Sequence, residues 1–203
     1  CHETELYYLK KLNEKNIYTG VIGSFCTILP DPYLKDAKFV VSGEPEFFFL
    51  NEDIEKMINE KPCGILKNKS SNQLDDLPYP SWDKTFKYGG PRAFFISLFQ
   101  KTIPILYSRG CPYSCFNYCT YPTQQGRTVR RRSVNNLIDE INFWVKKHNI
   151  KNFLFRDPVF SINNKVTLEV CKKIKESGLK IKFGIETHLN NLSVDLAKEL
   201  YDC

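Results

Sequence analysis

Apolar residues recur along this chain with two alternating periods, one helical and one extended. Leu6, Leu9 and Leu12 fall at helical spacing and predict a helix over 3–15. Tyr18 to Ile22 reads as a short strand ending at Gly23. Phe39-Val40-Val41 reads as a second strand, running into Ser42-Gly43-Glu44. A helix with its charges on one side is predicted over 47–59, and a further strand over 64–66. Helices alternating with short strands predict an α/β fold with a parallel sheet. Strands that end in glycine put a ligand edge at their C-terminal ends.

Residues 67–83 turn polar and then proline-rich, the mark of a linker, and 84–100 are aromatic-rich without a clear period. From residue 103 the pattern becomes regular. Ile103 to Tyr107 predicts a strand. Ser133 stands as the N-cap of a helix whose apolar face is Val134, Leu137, Ile138, Ile141, Trp144 and Val145. Lys146, Lys147 and His148 suit its C-terminal dipole, and Asn149 can close it. Strands at 153–155 and 181–185 follow, with helices at 164–177 (closed by Gly178) and after Ser193. Three consecutive strand–helix units build either an open doubly wound sheet or part of a (β/α) barrel, with function on the loops after the strands. Three units cannot close a barrel, and the chain does not begin with Met. The expectation is therefore a piece of a longer protein: one domain over 1–66, a linker over 67–102, and the start of a second domain over 103–203.

Composition narrows the class. No run of 18 apolar residues is present, nor a basic-then-apolar leader, so the expected setting is cytoplasmic, without a membrane span. The net charge of +6 includes a cluster at Arg127, Arg130, Arg131 and Arg132, which reads as a solvated face. Basic residues are not interleaved with aromatics as in a nucleic-acid groove, so nucleic acid is not an expected partner. Of eight cysteines, Cys1, Cys26, Cys63, Cys171 and Cys203 are scattered and read as small core residues. The other three, Cys111, Cys115 and Cys119, lie within nine residues. Three thiolates so close in sequence suit one soft-metal centre: an iron–sulfur cluster, zinc or copper(I). Three rather than four ligands leave one iron of a [4Fe–4S] cluster open to a substrate or cofactor. Zinc would need a fourth ligand, for which His148 and His188 are candidates without zinc-type spacing.

The loop resembles the signature of the radical S-adenosylmethionine (SAM) superfamily, C-x3-C-x2-C with an aromatic residue before the last Cys. The match lies in Gly110-Cys111-Pro112-Tyr113-Ser114-Cys115, Asn117-Tyr118-Cys119 and Thr120-Tyr121-Pro122, with one residue, Phe116, beyond the family spacing. Residues 126–140, Phe155-Arg156-Asp157-Pro158-Val159-Phe160, Ile185-Glu186-Thr187 and Leu77-Pro-Tyr-Pro-Ser-Trp-Asp83 resemble the cobalamin-dependent members. The resemblance implies a cluster on Cys111, Cys115 and Cys119 that binds SAM and cleaves it reductively. It puts Tyr118 near the adenine, and Asp157 and Glu186 at a barrel mouth as polar groups for SAM or substrate.

Residues 1–66 resemble the later half of a Rossmann-like cobalamin-binding domain. The resemblance rests on Thr19-Gly-Val-Ile-Gly-Ser24 and Phe39-Val-Val-Ser-Gly-Glu-Pro-Glu46, where Ser24 replaces a usual second glycine. It implies Gly23, Ser24, Gly43 and Glu44 as cofactor-binding positions. The expected cofactors are a [4Fe–4S] cluster and SAM, to which the N-terminal resemblance adds cobalamin. The implied partners are a small-molecule substrate and a reducing electron donor, and the implied activity is radical methylation, rearrangement or cyclisation. The other reading of the same residues is a non-catalytic, metal-stabilised binding module. No catalytic residue beyond the cluster ligands is assigned.

Overall fold

In the computed structural model, the described residues are 2–52, 54–67, 73–88, 90, 101–115 and 118–203. In chain order they form α1 (His2–Glu14), β1 (Gly20–Ile22), α2 (Ser24–Ile28), α3 (Asp31–Leu34), β2 (Phe39–Ser42), α4 (Pro45–Asn51), α5 (Ile54–Glu60) and β3 (Gly64–Lys67). There follow α6 (Asp83–Phe86), β4 (Thr102–Ile105), β5 (Ser108–Arg109), α7 (Tyr121–Gln125), β6 (Arg130–Arg131), α8 (Val134–His148), β7 (Asn152–Phe155), α9 (Asn164–Glu176), β8 (Lys182–Ile185) and α10 (Val194–Asp202). The chain is α/β with parallel sheets. Most of the aromatic-rich stretch after α6, and Phe116, lie outside the described residues. Among the described residues no helix is long and apolar enough to cross a membrane.

By contacts the chain divides into two units. One comprises Cys1–Asn72 with Gly110–Val129, the other Gln73–Arg109 with Arg130–Cys203. The cysteine segment thus groups with the N-terminal part, although it is inserted between elements of the second unit.

In the first unit β1, β2 and β3 make a parallel sheet with β2 central. The apolar run Phe39-Val40-Val41 supplies that centre because it is buried on both faces, as parallel strands covered by helices are. Val40 packs with Leu9, Cys26, Tyr33 and Ala37, while Phe39 and Val41 pack with Phe48 and Met57. The single helix predicted over 47–59 is instead two. The backbone turns extended at Glu52, and Asn51 donates its side-chain amide to the Phe47 carbonyl. An asparagine that bonds back to the preceding turn competes with helix continuation.

The second unit holds the parallel sheet β4–β7–β8, with β7 in the middle. Phe153 and Phe155 of β7 are buried beside Ile103 and Ile105 of β4. Against them lies the predicted face of α8: Leu137, Ile141 and Trp144 are almost wholly removed from solvent, each contributing roughly 1.5–3 kcal/mol through buried apolar area. The helix ends are capped by side chains. Ser133, Asn163 and Ser193 accept from the amides of Asn136, Val166 and Leu196, and Asn149 closes α8 in the left-handed conformation.

Candidate functional site

The strand predicted over 103–107 stops at Ile105, and the chain then forms a ladder that was not foreseen. β5 pairs antiparallel with β6, Ser108 opposite Arg131 and Arg109 opposite Arg130. The amide of Arg132 donates to the Tyr107 carbonyl at 3.0 Å. Outgoing and returning limbs of the cysteine loop are therefore tied together at its base.

Two buried charged groups hold these limbs from within the second unit. The guanidinium of Arg132 bridges the carboxylate of Glu140, which is 2% exposed, and donates to the carbonyls of Leu106 and Asn136. Its Nε donates to Asn136 Oδ1 at 2.6 Å. Arg130 is buried as well. The arginine run expected on a solvated face is thus in part internal, because its backbone pairs in β6 and the Arg132 side chain is turned inward.

On the other limb, Asp157 follows β7 and is 0% exposed. Its carboxylate accepts from the amides of Tyr107 (3.2 Å) and Ser108, and from the Ser108 hydroxyl (2.6 Å). Burial pushes its pKa up from 3.8 to about 6, against the lowering effect of the Ser108 side-chain bond and the backbone amides of Tyr107, Ser108 and Asp157 itself. A raised folded-state pKa means that the native state holds the proton more tightly than the unfolded chain. Asp157 therefore favours folding below its unfolded pKa, and that support is lost as pH rises through about 6. Between about pH 4 and about pH 7 the parent should lose about 2–3 kcal/mol relative to an Asp157→Asn variant, which cannot titrate there. Urea titrations across that range measure the difference, and a pH-independent gap would refute it.

Above its base the loop is braced in the first unit. The Gly110 amide donates to Gln125 Oε1 and the Cys111 amide to the Gly126 carbonyl, both at 3.1 Å. Gly110 has φ +92°, and a Cβ there would lie 2.2 Å from the Thr128 carbonyl oxygen, so only glycine fits beside the first cysteine. Arg127 donates to Ser114 Oγ at 2.9 Å. Cys111 is buried, Cys115 and Cys119 are half-buried, and all three are free thiols. In chemistry this donor set fits an iron–sulfur cluster. Among the described residues no three Cys, His, Asp or Glu side chains are gathered closely enough to hold a metal ion. Tyr118, 75% exposed, donates its amide to the Cys115 carbonyl.

The remaining expected site residues are dispersed. Glu186, at the end of β8, is half-exposed and pairs with Arg156. Gly23 and Gly43 close β1 and β2 with φ of +125° and +96°. Thr27 ties these two strand ends together, its hydroxyl donating to the Gly23 carbonyl and accepting from the Gly43 amide. Open space lies where a Cβ on Gly23 would stand. Ser24 begins α2, and Glu44 is buried. Of the two histidines named for a zinc site, His148 is packed against Phe86 and Trp144, and His188 Nδ1 accepts from the Asn190 amide. Of the scattered cysteines, Cys26 and Cys171 are in the core as expected, whereas Cys63 is exposed. Sequence reasoning missed Ser108, Arg132 and Glu140. For Glu140 a signal existed, since it is a charge between Leu137 and Trp144 on the apolar face of α8.

The chain is related to enzymes, and those relatives are methyltransferases and cyclases. It is 26% identical over 215 residues to an uncharacterized methyltransferase of Pyrococcus horikoshii, across 94% of this chain and 44% of that protein. It is 29% identical to the anaerobic magnesium-protoporphyrin IX monomethyl ester cyclase of Rubrivivax gelatinosus, across 95% of this chain and 37% of that one. To the bacteriochlorophyllide d C-12(1)-methyltransferase of Chlorobaculum tepidum it is again 29% identical, across 84% and 39%. The chain spans less than half the length of these relatives. No protein-family model matches it.

Proposed function

We propose that this chain is part of a radical SAM enzyme that holds a [4Fe–4S] cluster on Cys111, Cys115 and Cys119 and performs methyl transfer or a related radical reaction such as ring closure. One observation carries the reading: three free thiols stand on a braced loop that leaves the first strand of a parallel sheet. Relatives bearing the names of methyltransferases and a cyclase support it. A cluster held by Cys111, Cys115 and Cys119 would supply one electron for the reductive cleavage of SAM.

The chain's own residues then bind and orient. Cys111, Cys115 and Cys119 are the soft ligands, and Gly110 lets the chain turn closely beside the first of them. Tyr118 presents an exposed ring as a stacking face for adenine. Glu186 offers a carboxylate for SAM or substrate, once it exchanges Arg156 for that partner. In the first unit Gly23, Ser24, Gly43 and Glu44 are proposed to receive cobalamin, and the open space over Gly23 lets a ligand approach the backbone there.

The test is oxygen-free reconstitution of the full-length protein with iron and sulfide. Brown protein with about four irons per chain, forming 5′-deoxyadenosine from SAM under reduction, is the expected result. One tightly held zinc with SAM left intact would replace this reading with the metal-stabilised module. Colourless protein that leaves SAM uncut would end it.

A further inference from the structure

The Tyr107 and Ser108 amides emerge one after the other where the chain leaves β4, in surroundings closed to water. Buried amides must find acceptors, and here one fully buried side chain, from 50 residues further along, accepts from both and from the Ser108 hydroxyl. All three of these donors are neutral groups, so among the described residues the carboxylate bears its burial penalty without a cationic partner. No catalytic contact accounts for a carboxylate at this point, since none of its surface reaches solvent. What it does control is the direction of the main chain. Ser108 lies three residues before Cys111, and its β-ladder partner Arg131 lies on the returning limb of the same loop.

We propose that Asp157 is a positioning residue for the cysteine loop, a buried acceptor that sets the path along which the chain runs from β4 to Cys111. The radical SAM reading supplies the loop's purpose, but the clamp can be tested without metal. An asparagine here would keep the shape and one accepting oxygen, yet turn an NH2 toward donors, leaving a buried amide unpaired. Alanine at Ser108 would remove a single bond and leave both amides satisfied.

The experiment uses full-length protein prepared free of iron. Alkylation of Cys111 by iodoacetamide is followed by mass spectrometry, beside amide hydrogen exchange over 106–111 and over α8. For Asp157→Asn, both Cys111 alkylation and exchange at 107–108 should rise about tenfold while α8 is unchanged, as local opening rather than global unfolding requires. Ser108→Ala should move the same two readouts in the same direction by about threefold. Unchanged alkylation of Cys111 in a folded Asp157→Asn protein overturns the proposal. So does a rise shared equally by α8, which marks general destabilisation. Should Asp157→Asn fail to fold, Ser108→Ala decides alone, and no rise at Cys111 overturns the proposal. Reconstitution then separates the two readings. A parent that takes up four irons and an Asp157→Asn protein that takes up fewer support both. A parent that takes up none defeats the enzyme reading while the metal-free measurements still judge the clamp.

Discussion

A Cys111→Ser variant of the full-length protein should lose the brown cluster absorbance, and its SAM cleavage should fall by at least about two orders of magnitude. A hydroxyl is a hard, weakly acidic donor and does not replace a thiolate on iron, and groups that act as a unit fail together when one is removed. Cys115→Ser and Cys119→Ser should behave alike, for the same reason. Cys63→Ser is the matched control: that thiol is also free, but it is exposed and distant in sequence from the loop, so iron content should stay at the parent level. Iron and sulfide analysis with quantitation of 5′-deoxyadenosine reads all four variants. Full cluster retention in Cys111→Ser would remove the first ligand from the assignment.

Glu140→Ala should destabilise the protein by about 3–5 kcal/mol, the usual loss when one member of a buried ion pair is deleted. The cost comes chiefly from Arg132, whose guanidinium stays in place at 11% side-chain exposure without its counter-charge. Glu140→Gln should cost less because it still accepts a hydrogen bond. Combining Glu140→Ala with Arg132→Met should recover part of the loss, since the stranded charge is then gone. Urea denaturation of the parent, Glu140→Ala, Arg132→Met and the double variant gives the coupling directly. A loss under about 1 kcal/mol for Glu140→Ala would class the pair with exposed salt bridges.

The parts of this architecture that were legible are those that local physics determines. α8 announces itself through an N-cap serine, a stripe from Val134 to Trp144, terminal lysines and a closing asparagine, and each feature has its place in the structure. β7 is legible because two phenylalanines in a short run demand burial. The break between α4 and α5 was hidden because it depends on one asparagine preferring its own backbone to another helical turn. The β5–β6 ladder was hidden for a different reason. Its four residues are polar, each strand is two residues long, and the pairing partners lie on opposite sides of the cysteine loop. Asp157, followed by proline, reads locally as a turn residue. Only contacts with residues far back in the chain reveal that its surroundings are dry. The three cysteines were visible as a set from spacing alone, whereas the bracing around them rests on Gln125, Gly126 and Arg127, whose roles require the folded loop.

The cysteine segment belongs by contact to one unit and by both its covalent ends to the other. The polypeptide therefore passes between the units three times, at 72/73, 109/110 and 129/130. A single cut in the proline-rich stretch cannot yield two self-sufficient halves. The downstream half would keep the thiols but leave α7 without α2, the helix it packs against. Dissection of this protein into expressible pieces has to respect that weave, with residues 1–72 kept on the same chain as the cysteine segment they group with.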